Sequence, residues 1–344
     1  MTSKQRDFHR LAGELFLTPT SKTERSLPAG SVSRRPQTRG PDGSSGRPRR
    51  CLTRHDLARR RCLAALIAVA CLVPAVYAQE VGPVHGSLVI VGGAMRDPAI
   101  IDRFIQLAGG PHAPIVVIPT AGGGETYDQY YPGLRSFVEA GATDLTVLHT
   151  TDRERANSEA FVDVLRHARG VWFPGGRQWR LADAYLGTRV HEELQGVLDR
   201  GGVIGGSSAG ATILGSYLAR GDTAGNTVMM GDHEVGFGFL RNVAIDQHLL
   251  RRNRQFDLIE VIEAHPELLG LGLDEDTAIV VQGDEFEVIG RSYVVIYDHE
   301  HMLDSGGRFY FLGAGDRYDL HARTAFRMQR ARRPLGRVVE RPWR

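Results

Sequence analysis

From Ser87 onward the chain alternates short apolar, β-branched runs with amphipathic stretches, and each run stops at small or turn-forming residues. Residues 87–91 end at Gly92-Gly93, 114–118 at Pro119-Thr120-Ala121, 145–148 at His149-Thr150-Thr151, and 170–173 at Pro174-Gly175-Gly176. Residues 202–204 run into Gly205-Gly206-Ser207-Ser208-Ala209-Gly210. A strand covered on both faces reads as a near-continuous apolar run, and the stretches between, such as 131–140 and 158–168, carry the periodicity of covering helices. The pattern predicts an α/β fold: a doubly wound, mostly parallel sheet covered by helices. Ligands of such sheets bind outside the carboxyl ends of the strands, so the small-residue loops should line one crevice. Beyond Leu273 the runs 278–281, 285–289 and 293–297 are separated only by Gln282-Gly283-Asp284 and Gly290-Arg291-Ser292, which predicts a C-terminal antiparallel meander.

Charge narrows the function. The formal net charge of +2 is an average: residues 1–61 carry 15 Lys and Arg against 5 Asp and Glu, and residues 326–344 carry 7 Arg and one Glu. That leaves residues 62–325 at −14, so the body gives no support to nucleic-acid binding. Cys51, Cys62 and Cys71 are the only cysteines, which excludes a disulfide framework, a Cys-ligated metal and a cysteine nucleophile from residues 79–344.

Arg59-Arg60-Arg61 precede an apolar run, 62–73, that stops at Pro74 and is too short to span a bilayer. With small residues at Val76 and Ala78, this reads as the hydrophobic region of a signal peptide over 62–78, cut after Ala78, and the expected location is periplasmic or secreted. A loose lipobox, Ala68-Val69-Ala70-Cys71, is the alternative. Residues 1–61 read as a basic extension, either disordered for want of apolar content or upstream of the true translation start. Residues 79–325 read as one folded domain, because its connections are short and no Pro-rich linker divides it; 326–344 read as a basic, solvated tail. No membrane span is expected, and a homodimer is left open.

Gly206-Ser207-Ser208-Ala209-Gly210 matches G-x-S-x-G, with an apolar strand before it and a helix-like run, 211–214, after it. This is the setting of a nucleophile elbow, where a serine sits on a tight strand-to-helix turn and the next N–H, here Ala209, faces a developing oxyanion. A serine hydroxyl needs a base, because almost none of it is ionised at neutral pH. Of the histidines in the body, His112, His149 and His191 lie in or beside loops and His265 precedes a proline. His248 follows the apolar run 243–245, which would carry it to the same sheet edge as Ser208. His299 and His301 suggest a metal pair, without a third ligand at recognisable spacing.

Taken in order, Gly92-Gly93, Ile118-Pro119-Thr120-Ala121, Pro174-Gly175-Gly176-Arg177-Gln178, the serine turn and Ile245-Asp246-Gln247-His248 resemble the cyanophycinase and dipeptidase E family of serine peptidases. The resemblance spans about residues 87–315 and implies a fold related to the class I glutamine amidotransferases. It implies Ser208 as nucleophile, His248 as general base, and the N–H groups of Gly176 and Ala209 as oxyanion hole. An amidotransferase triad has its acid two residues after the histidine, but position 250 is leucine. Asp222 is the favoured acid, with Glu234, Asp246 and Asp274 as alternatives. Gln178, Asp246, Gln247, Arg252 and Arg254 match positions that hold a β-Asp-Arg unit in cyanophycinases; the family's third arginine, nine residues after the histidine, is Asp257 here.

The function these residues imply is a serine exopeptidase that releases β-Asp-Arg-type dipeptides from a peptide or cyanophycin-like polymer, with no metal or cofactor. The alternatives are an aspartyl dipeptidase resembling dipeptidase E, and a non-catalytic secreted binding protein on the same fold.

Overall fold

The structure, a computed structural model, describes residues 80–299 and 307–327. The basic extension 1–61, the signal peptide 62–78 with its cut after Ala78, the three cysteines, His301 and residues 328–344 lie outside the described residues.

The main sheet has nine strands, with β14 at one edge and β3 at the other, in the order β14-β13-β10-β9-β1-β5-β4-β2-β3. Its parallel half comprises β1 (Ser87–Val91), β2 (Ile115–Val117), β3 (Leu145–Val147), β4 (Gly170–Phe173) and β5 (Val203–Ser207). Every residue of β1, β2, β4 and β5 is buried, as the unbroken apolar runs require. A second sheet of five strands contains β6 (Gly215–Tyr217), β7 (Leu240–Gln247) and β8 (Leu269–Leu273), which run parallel.

The C-terminal strands are antiparallel, as the sequence suggests, but they divide between the two sheets. β9 (Thr277–Gln282) and β10 (Glu285–Gly290) form a hairpin that extends the main sheet from β1. β11 (Tyr293–Asp298) leaves it to pair with β8 and with β12 (Tyr310–Gly313) in the second sheet. β13 (Arg317–Asp319) and β14 (Thr324–Phe326) return to the main sheet, so Phe326, read as the first residue of the tail, is paired with Arg317.

Alternation along β1 divides the core. Leu88 and Ile90 face one layer, packed with the helices Glu159–His167 and Arg189–Asp199, while Val89 and Val91 face the helix Pro98–Ala108 on the other. That last helix is set by local chemistry: Asp97 caps it through Ala99 N, Pro98 occupies its first turn, and Gly109 closes it at φ 110°. The inner face of the second sheet, with Val243, Ile245 and Leu271, joins the first core, and its outer face packs on the helix Asp257–Ala264 through Leu258, Val261 and Ile262. Among the described residues no helix is long and apolar enough to cross a membrane.

Candidate active site

β5 ends at Ser207, and the helix Ala209–Thr212 starts two residues later, so Ser208 alone makes the turn, at φ 58° and ψ −117°. A non-glycine residue at such a φ is uncommon and is held only where its surroundings over-determine it. Here the Ser208 N–H is fixed by the Val91 carbonyl at 3.0 Å. The small residues around it have a steric reason: a Cβ on Gly210 would collide with the Phe173 carbonyl, across which the short helix lies.

His248 follows β7 and therefore comes from the second sheet, not the one that carries Ser208. It too has a positive φ, 55°, and its side chain turns toward the end of the main sheet. Nε2 lies 2.9 Å from Ser208 Oγ, and Nδ1 lies 2.7 Å from Glu275 Oε1. A carboxylate only accepts hydrogen bonds, so Nδ1 carries the ring proton and Nε2 presents its lone pair to the serine hydroxyl. Burial holds the imidazole below its ordinary pKa; the hydrogen bond to Glu275 opposes this, and the charges of Arg252 and Arg254 reinforce it. The neutral, proton-accepting form is thereby favoured at neutral pH.

The turn 174–176 borders the serine closely enough that a Cβ on Gly175 would lie 3.7 Å from Ser208 Oγ. Gly176, at φ 148°, abuts the Ala121 carbonyl, which also accepts the N–H of Arg177 at 2.8 Å and so anchors this turn. The N–H groups of Gly176 and Ala209 have no acceptor among the described residues. An alcohol, a neutral imidazole, a carboxylate behind it and free amides beside it can together perform acyl transfer.

Residues 88–289 match the model of peptidase family S51. The cyanophycinase of Geminocystis herdmanii (strain PCC 6308) is 32% identical over 279 residues, covering 74% of this chain and 98% of that protein. The cyanophycinase of Nostoc sp. (strain PCC 7120 / SAG 25.82 / UTEX 2576) is 32% identical over 265 residues, 69% of this chain and 87% of that one.

The chain belongs to peptidase family S51.

It is accordingly a hydrolase, a serine-type peptidase. The fold agrees: the crystal structure of a peptidase from an acI-B1 Actinobacterium superposes with a TM-score of 0.55 at 24% identity, over 69% of this chain and 98% of that one.

The structure corrects the acid of the S51 site as read from sequence. Asp222 is not at His248; its Oδ1 accepts the N–H groups of Ala224 and Gly225, 2.8 Å each, and so closes its own turn. The alternatives are also committed elsewhere. Glu234 accepts from Tyr217, Asp246 is paired with Arg220, and Asp274 accepts the N–H groups of Leu250 and Arg251 just beyond the histidine. Glu275 was missed because it sits in the turn between β8 and β9, and the parallel pairing of β7 with β8, Gln247 opposite Leu273, is what brings it to His248. Its one local signal is the acidic turn Asp274-Glu275-Asp276 between two apolar strands.

The residues read as substrate-binding in this S51 peptidase divide by burial. Gln247 Oε1 is 3.5 Å from Ser208 Oγ, and Arg254 NH1 contacts the carbonyl and the Oε1 of Gln247 at 3.2 and 3.4 Å, which brings a guanidinium next to the nucleophile. Arg252 is exposed in the turn that follows His248, its N–H bonded to the His248 carbonyl. Gln178 is buried, with Nε2 donating to the carbonyls of Ala219 and Arg220. Asp246 is fully buried and holds Arg220, itself 2% exposed, in a two-pronged ion pair of 2.7 and 2.9 Å. Asp257 joins it at 2.5 Å through Arg220 NH2. Asp246 is thus a structural support beneath Gln247, and Arg220 is a residue the sequence reading missed. Among the described residues there is no cluster of three or more His, Cys, Asp or Glu suited to a metal ion; His299 is exposed, and its proposed partner His301 lies outside them.

Proposed function

We propose that this S51 peptidase is a cyanophycinase-like serine exopeptidase that hydrolyses β-Asp-Arg-type peptides through an acyl-enzyme at Ser208. The observation that carries the reading is the continuous hydrogen-bonded line from Ser208 Oγ through both nitrogens of His248 to Glu275, 2.9 and 2.7 Å in its two links. In the proposed reaction Ser208 Oγ attacks the scissile carbonyl carbon as its proton passes to His248 Nε2. The oxyanion takes the N–H groups of Gly176 and Ala209, each donor worth about 10²–10³ in rate. The C–N bond then breaks, and the amine leaves with the proton returned by His248. A water molecule, deprotonated by the same imidazole, attacks the acyl carbon and frees the acid product and Ser208. Glu275 holds the ring and stabilises the imidazolium without taking its proton.

The exopeptidase reading is supported by Arg254 beside Gln247, a cation placed to meet a terminal carboxylate near the nucleophile, and by the 32% identity to cyanophycinases. Asp257 pairs with Arg220 where the family pattern has an arginine, so recognition of that carboxylate falls to Arg254 and Arg252. We further propose export to the periplasm or beyond, which N-terminal sequencing of the mature protein tests: the expected first residue is Gln79.

Purified protein offered cyanophycin and Asp-X dipeptides in parallel tests the substrate. Release of β-Asp-Arg from the polymer is expected. Cleavage of Asp-X alone would instead identify an aspartyl dipeptidase, and ligand binding with no turnover, unaffected by Ser208→Ala, a binding protein.

A further inference from the structure

The Gly92-Gly93 pair at the end of β1 is part of the sequence pattern, yet nothing in the proposed chemistry uses it. Its position explains it. β1 lies between β5, which leads into Ser208, and β9, which begins just after Glu275; His248 arrives there from the other sheet. Three successive carbonyls at this strand end each hold one segment of the site. Val91 accepts the N–H of Ser208 at 3.0 Å, Gly92 that of His248 at 2.8 Å, and Gly93 that of Asp276, the residue after Glu275, at 2.8 Å.

Both glycines are bare for a reason. A Cβ on Gly92 would collide with the carbonyls of Leu273 and Asp274. A Cβ on Gly93 would stand against the imidazole itself, 2.6 Å from Nδ1 and 2.9 Å from Nε2, with Cε1 also in contact. The Gly93 α-carbon is therefore the surface against which the ring lies, at φ 132°, where a side chain is disfavoured in any case. The segment is pinned from its far side as well: Asp276 Oδ1 accepts the N–H groups of Arg96 at 2.6 Å and Asp97 at 2.7 Å.

We propose that residues 91–93 are the positioning device of this site, their carbonyls setting the relative places of nucleophile, base and acid, and that Gly93 is a positioning residue that sets the depth of the His248 ring. The proposal rests on the reading of Ser208 and His248 as catalytic. Methyl carbon and ring nitrogen require about 3.4 Å, so Gly93→Ala must displace the imidazole by roughly 1 Å, and a misplacement of that size costs on the order of 100-fold in rate.

The test uses acylation by a fluorophosphonate, which needs no knowledge of the substrate, together with thermal melting. Gly110→Ala is the control: its φ is 106°, nothing lies within 4 Å of the added carbon, and it is remote from the site. Gly93→Ala is expected to acylate about 100-fold more slowly, while Gly110→Ala acylates at the wild-type rate despite comparable backbone strain. Should Gly93→Ala fail to fold, Asp276→Gly provides a second reading that adds no atom and tolerates the positive φ of 58°. It is expected to slow acylation several-fold, with recovery in Asp276→Asn, which keeps an acceptor for Arg96 and Asp97. Wild-type acylation rates in both Gly93→Ala and Asp276→Gly would overturn the proposal while leaving Ser208 as nucleophile. Absence of any adduct on Ser208 in the wild type would overturn both it and the reading beneath it.

Discussion

Replacing Glu275 by glutamine removes one charge from the site and almost nothing else. Glutamine has the same length, and its amide oxygen can still accept the Nδ1 proton of His248, so the ring should keep its place. The imidazolium that forms as Ser208 attacks loses its counter-charge. With Nδ1 and Oε1 2.7 Å apart, the two charge centres are separated by roughly 4 Å, and at an effective dielectric of about 20 their attraction is about 4 kcal/mol. Glu275 is only 19% exposed, so solvent replaces little of that. At about 1.4 kcal/mol per decade, kcat should fall on the order of 10³-fold with KM nearly unchanged, because the charge develops only in the transition state. Initial-rate kinetics on the released dipeptide, run beside Asp222→Asn, give the answer. Asp222→Asn should stay within about 3-fold of wild type, since Asp222 serves its own turn and asparagine is equally suited to it. Loss of activity in Asp222→Asn with near-normal turnover in Glu275→Gln would refute the assignment of the acid.

Three further predictions follow from the same geometry. Arg254→Ala should raise KM about 10- to 100-fold with a smaller change in kcat, the cost of one charge-assisted contact of about 1.5–3 kcal/mol; an unchanged KM would remove Arg254 from substrate recognition. Arg220→Met leaves the fully buried Asp246 without its partner and should destabilise the fold by about 3–5 kcal/mol in a urea melt, whereas an unaltered midpoint would mean the pair is dispensable. Because the base must be neutral, and burial lowers the His248 pKa, the acid limb of kcat/KM should lie below the ordinary histidine value of 6.5. In Glu275→Gln that limb should move further down, since the carboxylate is what raises the pKa, and a limb above 6.5 in the wild type would contradict the assignment.

What could be read in the sequence was what neighbouring residues determine. β1, β2, β4 and β5 are buried on both faces, so their runs are continuous and their ends are marked by glycine and proline. The Ser208 turn is equally local, because the residues that make its geometry affordable lie within two positions of it. His248 could be singled out from the run before it, although that run belongs to a different sheet from the one expected. Contacts made across the fold left no such trace. Glu275 reaches the imidazole because β8 pairs in parallel with β7, a partner distant in sequence, and Arg220 finds Asp246 26 positions away, both side chains buried. Asp222 stood in Glu275's place for a physical reason: an aspartate in a Gly-Asp-Thr turn looks the same whether it closes the turn or orients a histidine. β11 was legible as a strand and not as a member of the second sheet, because so short a connection as Arg291-Ser292 reads as a hairpin turn and nothing local marks β8 as the partner.

The covalent intermediate tests the account most directly. Enzyme mixed with substrate, quenched in acid within the first turnovers, digested and weighed by mass spectrometry should show the peptide containing Ser208 heavier by the acyl group, and Ser208→Ala should show no such peptide. An acyl group on Ser207 or elsewhere, or turnover that survives Ser208→Ala, would contradict it.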